Sequence, residues 1–358
     1  MKQIRIVLLS ALLFMQLASV SQEINKAQKD TSSLSGEIDE VTVTAFRSPY
    51  NLFNTPAPVN LITPLQLEIG SSFTPVEALN QVPGILMQHG TLNTNRLTIR
   101  GIGSRSVYAT NKIKAYFGEI SLTSGDGETT LEDLENSAIK RVEIIKGPSS
   151  SLYGAGLAGV ILFHPKTVVK NFVQNQISTA SFGTIKNTLS TGVIQNKFNV
   201  YALGSYLNSY GYRRNNKTNR ANILLNSMYS FTENSNLQLL LKATKMKGYI
   251  PSSLDINMFN KSPEMAAQNW AAIKGYEEYS NGQFGLSYNL VTQKNEKISA
   301  AAFGSFRQAD ELRPFNRLKE NSRFVGWRAY AQKTIVADGT RFTITSGLEF
   351  FREKYNWS

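Results

Sequence analysis

The 358-residue chain contains no cysteine. That excludes a disulfide framework, a thiolate zinc site and a cysteine nucleophile, and it leaves no N-terminal Cys to carry a lipid. Histidine is almost as scarce. His89 and His164 are the only two, and no H-E-x-x-H occurs, so metal-dependent hydrolysis has no ligand set and no metal site is expected. Acid is scarce in the second half. Residues 1–164 carry 13 Lys/Arg and 14 Asp/Glu, whereas residues 165–358 carry 25 and 12, so the overall +12 is confined to the second half. Such a half suits nucleic acid, anionic lipid or an anionic small molecule, and charge alone does not choose. Long apolar runs are missing beyond the first twenty residues. Any passage through a membrane must therefore use strands closed into a barrel.

What is present begins with a leader. Lys2 and Arg5 precede an apolar stretch from Ile6 to Leu17, and the small residues Ala18, Ser19 and Ser21 come after it. This is the pattern of a secretory signal peptide over 1–21, too short for a membrane anchor. Export leaves no role for nucleic acid. Residues 22–36 are polar, Ser- and Lys-rich and without period, the composition of a disordered linker. In Glu37–Ala45, Val41 and Val43 alternate with Thr42 and Thr44. That is a short strand-prone segment on a flexible tether, or an ordinary first strand.

Residues 46–164 read as an α/β domain. Val59–Ile62, Ile85–Gln88, Arg96–Arg100, Arg141–Lys146 and Val160–Phe163 have strand character. Thr74-Pro75-Val76-Glu77 predicts a helix start with Thr74 as cap, Pro75 at the first helical position and Glu77 closing a capping box. Pro83-Gly84 stops that helix. Leu131–Ser137 predicts a short acidic helix. After Pro165 the pattern changes to recurring strands of about ten residues. Phe284, Leu286, Tyr288 and Leu290 share one face of Gln283–Val291, and Asn236–Thr244 and Thr340–Phe351 alternate in the same way. Short turns, such as Glu233-Asn234-Ser235 and Asp338-Gly339, and long loops over 208–220 and 245–282 separate about nine such strands. Alternating strands with short turns at one end and long loops at the other predict an antiparallel transmembrane barrel rather than a soluble sandwich.

Two sequence motifs are decoys. Gly154-Ala155-Gly156-Leu157-Ala158-Gly159 matches G-x-G-x-x-G, but Pro148–Ser151 separates it from its strand. Pro165 cuts the next segment too short for a helix, and no acid occurs between Glu143 and Glu233. It lacks the strand-to-helix setting of a dinucleotide site. Ser149–Ser151 lacks a G-x-S-x-G elbow, so acyl transfer with His164 is not supported and no enzymatic role is expected.

The same region carries a family resemblance. Residues 141–156, Arg-Val-Glu-Ile-Ile-Lys-Gly-Pro-Ser-Ser-Ser-Leu-Tyr-Gly-Ala-Gly, resemble the plug-domain core of TonB-dependent outer-membrane receptors. Val76–Ile85 is similar to the plug's L-x-x-x-P-G-V, Leu97–Gly101 to its I-R-G, and Ile38–Ala45 to the TonB box. The four matches run in family order. Lys146 stands where the family often has Arg, and Pro165 replaces part of the usual ending, which leaves the crossover into the barrel open. The resemblance implies a TonB box over 37–45, a plug over 46–164 and a partial barrel over 165–358. A plugged barrel of this kind has about 22 strands, so the chain is expected to be an N-terminal fragment with an open sheet.

The resemblance further implies a location in the outer membrane, with lipid and lipopolysaccharide around the barrel. It implies active import of a scarce nutrient, most often a ferric siderophore or other iron chelate. Iron would enter only as part of the cargo, with no resident cofactor. Uptake of cobalamin or an oligosaccharide, or a non-transporting binding protein or porin, are the alternatives. TonB, with its inner-membrane energising complex, would pair with Ile38, Asp39, Glu40, Val41, Thr42, Val43 and Thr44 as an added strand. Arg100 and Lys146 match plug cations that pair with barrel-wall carboxylates, or else pair internally with Glu143. The apical loops 88–95, 103–111 and 121–128 make His89, Asn93, Arg105, Tyr108 and Asn111 ligand-contact candidates.

Overall fold

The computed structural model describes residues 42–358 except 45–46, 48–49, 52–54, 56, 90–94, 105–111, 124–128, 130, 132, 155, 295 and 338–339. The leader, the linker and residues 38–41 lie outside the described residues.

The described residues open with β1 (Thr42–Val43) paired to β2 (Tyr50–Asn51). A five-stranded sheet comes next, built from β3 (Val59–Ile62), β6 (Ile113–Phe117), β7 (Ile120–Ser121), β8 (Ile139–Lys146) and β9 (Gly159–Pro165), in the order β3-β8-β9-β6-β7. β6 and β9 run parallel and the other pairs antiparallel. Strands β4 (Ile85–His89) and β5 (Asn95–Ile99) form a separate hairpin. Alternation divides the sheet into two faces. Val142, Ile144, Ile161 and Phe163 join the main core with Leu67, Leu79 and Leu134. Ile145, Val160 and Leu162 pack on the other face with Tyr116 and Tyr153.

Helix α1 (Pro64–Gly70) has a complete capping box, with Thr63 and Gln66 exchanging hydrogen bonds. This Thr-x-x-Gln start was not anticipated. The expected box at Thr74 is absent: α2 is Val76–Asn80, with Pro75 at the cap position, and Thr74 accepts a single bond from the Val76 N–H at 3.3 Å. The acidic helix expected over 131–137 is instead a turn with one 3₁₀ segment at Asn136–Ala138. Leu131, Asp133, Leu134 and Glu135 are all buried there, so the segment is held by tertiary contacts and not by helix propensity. Helix α3 (Ser150–Tyr153) comes after Pro148. Gly159 explains the glycine-rich run. Its φ is +150°, and an added Cβ would meet the Ile145 carbonyl oxygen at 2.2 Å, which only glycine avoids.

Nine antiparallel strands succeed one another as a meander: β10 (Phe172–Ala180), β11 (Thr184–Gln195), β12 (Phe198–Ser209), β13 (Thr218–Thr232), β14 (Ser235–Tyr249), β15 (Tyr276–Val291), β16 (Lys297–Leu312), β17 (Arg317–Ala337) and β18 (Thr340–Trp357). The sheet is unclosed, with β10 and β18 at its edges. Strands β13 to β18 are 15 to 21 residues long, more than the ~10 that cross a bilayer. They take up much of both expected loops, leaving 210–217 and 250–275, the latter with α4 (Ile256–Lys261) and α5 (Gln268–Ile273).

The outer face exposes apolar side chains from strand after strand, among them Leu189, Ile223, Leu241, Phe284, Trp327 and Leu348. An apolar face repeated over this many strands is the pattern that strand-built membrane proteins present to lipid. The inner face wraps the N-terminal domain: Tyr201, Leu203, Leu224, Leu240, Phe303 and Phe324 complete that domain's main core. Among the described residues no helix is long and apolar enough to cross a membrane.

Candidate functional site

The segment 42–51 is fastened at two carboxylates, the buried Glu143 and the half-buried Glu119. Val43 is fully buried, and the next residue, Thr44, donates its N–H to Glu143 Oε2 at 2.9 Å. Glu143 lies on β8 between Leu61 and Leu162, on the face of the second apolar cluster. Its carboxylate also meets Arg141 Nε at 2.8 Å and His164 Nε2 at 3.1 Å. Arg141 and Glu143 share a face because strand side chains repeat every second residue. Burial alone would raise the Glu143 pKa. The hydrogen bonds and charges of His164 and Arg141 outweigh it and hold the carboxyl below the ordinary range.

Three residues beyond Thr44, Arg47 turns the chain with φ of +63°, a left-handed conformation that costs a non-glycine residue about 1–2 kcal/mol. Its N–H donates to the Thr44 carbonyl at 2.9 Å. Its guanidinium grips Glu119 through Nη1 at 2.8 and 3.0 Å and lies over the rings of Tyr153 and Tyr330. Glu119 is shared. Arg328 of β17 reaches it at 2.9 Å and binds Glu349 of β18 at 2.7 Å. Burial pushes the Glu119 carboxyl up, but Arg47 and Arg328 pull harder and leave it at about 2. The same burial raises Tyr116 to about 12. Lys297 of β16 donates to the Arg47 carbonyl at 3.2 Å. One left-handed arginine thus ties the N-terminal segment to both the domain and the sheet.

Thr42, Val43 and Thr44 of the expected TonB-binding set therefore lie on this site, and Ile38 to Val41 are outside the described residues. Arg100 and Lys146 are elsewhere. Arg100 is exposed and left-handed, with its N–H on the Gly84 carbonyl at 2.7 Å. Lys146 donates to the Pro83 carbonyl at 3.0 Å, and burial together with the Arg100 charge lowers its pKa. Among the described residues neither forms an ion pair, and Glu143 serves Thr44, Arg141 and His164 instead. Of the ligand-contact candidates, His89 is described as a backbone partner of Asn95. Asn93, Arg105, Tyr108 and Asn111 are outside the described residues.

Among the described residues, the ion pairs that join the domain to the sheet have the opposite polarity to that expected of Arg100 and Lys146. The domain supplies carboxylates and the strands supply cations. Glu135, buried, meets Lys186 of β11 at 2.5 Å and Arg220 of β13 at 3.6 Å, and accepts from Ser205 and Asn222 at 2.8 and 2.6 Å. Burial would raise its pKa, but Lys186 and Arg220 lower it. Asp133 accepts from the Tyr279 hydroxyl and Asn281 Nδ2, each at 2.6 Å. Lys186 and Arg220 also donate to the Ser72 and Phe73 carbonyls, and Tyr201 to that of Ser137. Glu119, Asp133, Glu135, Arg47 and the strand cations were all missed from sequence. The readable signal was acids set among obligate core residues, Leu131-x-Asp133-Leu134-Glu135, a pattern that a solvated helix does not need.

Among the described residues no group of three or more His, Cys, Asp or Glu could hold a metal ion.

Comparison with known proteins gives a consistent picture. The family profile of the TonB-dependent Receptor Plug Domain matches residues 51–161. A hemin receptor of Yersinia enterocolitica is 22% identical over 309 residues, 80% of this chain and 42% of that protein. A probable TonB-dependent siderophore receptor PiuA of Acinetobacter baumannii is 30% identical over 144 residues, 39% of this chain and 17% of that protein. The solved structure of the ferric citrate transporter FecA in its unliganded form superposes with a TM-score of 0.71 at 15% identity, over 86% of this chain and 50% of that one. The chain thus spans less than half the length of these two relatives and half that of the solved structure.

Proposed function

The chain carries the plug domain of the TonB-dependent receptors and belongs with that family, and from this premise we propose that it serves energised import of an iron chelate across the outer membrane. Transport, not catalysis, is the work of such receptors. The observation that carries the reading is the latch at residues 42–51, where Glu143 holds Thr44 at the end of the proposed TonB box and Glu119 holds Arg47 just after it. A periplasmic partner that pairs with residues 38–44 as an added strand would gain backbone hydrogen bonds with little demand on side chains. Force applied there arrives first at Thr44 and Arg47. The lipid-facing belt supports an outer-membrane location. The iron cargo rests on what the relatives are named for.

The basic second half does not identify an anionic cargo. Lys186, Arg220 and Arg328 face inward and are committed to Glu135 and Glu119. Arg323, Arg352 and Lys354 alternate to the exposed outer face, where phosphate-bearing lipid is the fitting neighbour.

Val41→Pro removes a backbone donor and disfavours strand pairing. It should abolish uptake of iron chelates while ligand binding persists. Normal energised uptake by this variant contradicts the assignment of 38–44. Expression should rise under iron starvation, and induction by glycan or cobalamin limitation alone would remove iron from the reading.

A further inference from the structure

Between the plug and the sheet lies a cavity whose polar groups are only partly used. It measures about 70 Å³, the room of about two waters at ~30 Å³ each. Two inner-face rungs form its sheet side. Lys242 of β14 pairs with Gln283 of β15, and one rung nearer the 250–275 loop Thr244 pairs with Asn281. Ser305 and Ser322 line it farther along the sheet, and Asp133 closes the plug side. Lys242, Asn281 and Asp133 are buried, whereas Glu320, Ser322 and Glu353 are half-buried. The cavity therefore has a closed floor at β14–β15 and a mouth at β17–β18.

The unmatched groups on the floor are of both kinds. Asn281 Nδ2 donates to Asp133 Oδ2 at 2.6 Å. An ionised carboxylate only accepts, so this bond fixes the amide orientation, and Oδ1 is the atom left without a partner. Gln283 Oε1 has none either. Among the described residues the buried Lys242 ammonium has neither a hydrogen bond nor an ion pair. The neighbouring charges are already engaged: Asp133 by Asn281 and Tyr279, and Arg307 by Glu277 and Glu320. One small space thus holds a positive donor and two neutral acceptors that lack partners, and buried polar groups require them. Water serves the two amide oxygens but leaves the ammonium without a counter-charge, which is the costly part.

The chemistry of a fitting ligand is bounded from both sides. A simple anion answers Lys242 but offers nothing to the amide oxygens, and it enters a lining in which Asp133, Glu320 and Glu353 outnumber Lys242 and Arg307. A simple amine answers the oxygens and the carboxylates but sets a second cation beside Lys242. A carboxylate and an ammonium on the same carbon answer both demands, add no net charge and take the places of two waters. We propose that this cavity binds a free α-amino-acid group, its carboxylate on Lys242 and its ammonium on Asn281 Oδ1 and Gln283 Oε1. The mouth leaves room outside for the amino acid's own side chain or for the rest of a larger solute. The site is separate from the contacts of Glu143 and Glu119, and it stands whether or not the cargo carries iron.

Equilibrium dialysis of the protein in detergent against radiolabelled glycine tests this, because glycine is the bare group. Saturable binding of a single glycine per chain is expected. Acetate and methylamine, each lacking one of the two charges, should compete at least about tenfold less well, as loss of a charge-assisted hydrogen bond implies. Lys242→Met and Gln283→Met should each weaken binding by about tenfold or more, with circular dichroism and thermal melting in glycine-free buffer showing that both variants fold. Competition by acetate or methylamine equal to that of glycine, unchanged binding by Lys242→Met, or no saturable binding by folded wild type would each overturn the site. Nε-acetyllysine distinguishes the two sources of the group. If it displaces glycine, the cavity reads the group on a larger solute; if glycine binds and Nε-acetyllysine does not displace it, the ligand is a small free amino acid.

Discussion

The plug meets its wall in two different ways. Against β11–β13 it is anchored by full charges: Glu135 with Lys186 and Arg220, backed by Ser205, Asn222 and the Tyr201 hydroxyl. Against β14–β16, among the described residues, the carboxylate of Asp133 is held by the neutral donors of Tyr279 and Asn281, and beside it Lys242, Gln283 and Asn281 line a cavity. The first contact resists sliding because a separated buried ion is left uncompensated. The second can exchange partners with water or a polar solute at little cost. A plug that must move without leaving its barrel needs both kinds.

The sharpest way to break this contrast is Glu135→Ala. It leaves Lys186 and Arg220 buried without their carboxylate, and should lower unfolding stability by about 3–5 kcal/mol in denaturant titration. A loss under 1 kcal/mol would mean that the β11–β13 contact is not an anchor. Acid provides a milder probe. The folded-state pKa of Glu119 is depressed to about 2 from 4.5, so its contribution is complete above pH 4.5 and is lost as pH falls from there through about 2. Wild type should therefore lose more stability across that window than Glu119→Gln, and parallel profiles would contradict the assigned partners. The smallest effect is expected at Lys242→Met. Replacing a buried, unbonded ammonium with an apolar side chain of similar length should be neutral or stabilising, whereas Lys186→Met should destabilise. Equal losses at the two lysines would erase the distinction between the walls.

The strands were legible because alternation is a local signal: Phe284, Leu286 and Leu290 against Gln283 and Ser287 placed β15 on its correct faces. The plug was legible through its motif order. The site was only half legible. Glu143 stood out, but its partner Thr44 is 99 residues away, and nothing local distinguishes Thr44 from Thr42. Glu135 reaches Asn222 across 87 residues, a pairing that exists only once the strands wrap the domain. Arg47 carried no signal in sequence, because its value lies in a left-handed turn that tertiary contacts impose. The capping box at Thr63–Gln66 is as readable as the one expected at Thr74, where Pro75 takes the cap position instead.

The account turns on the claim that Glu119 holds the N-terminal segment down, and trypsin reads this directly, since Arg47 is itself a cleavage site. In the folded protein the Arg47 side chain is 10% exposed, and cleavage after it at neutral pH should be slow. Glu119→Gln keeps a hydrogen-bond acceptor but removes the charge, a difference of about 1.4 kcal/mol between charged and neutral bonds. Cleavage after Arg47 should then be about tenfold faster, with other sites unchanged. Equal cleavage rates at Arg47 in wild type and Glu119→Gln would contradict the latch.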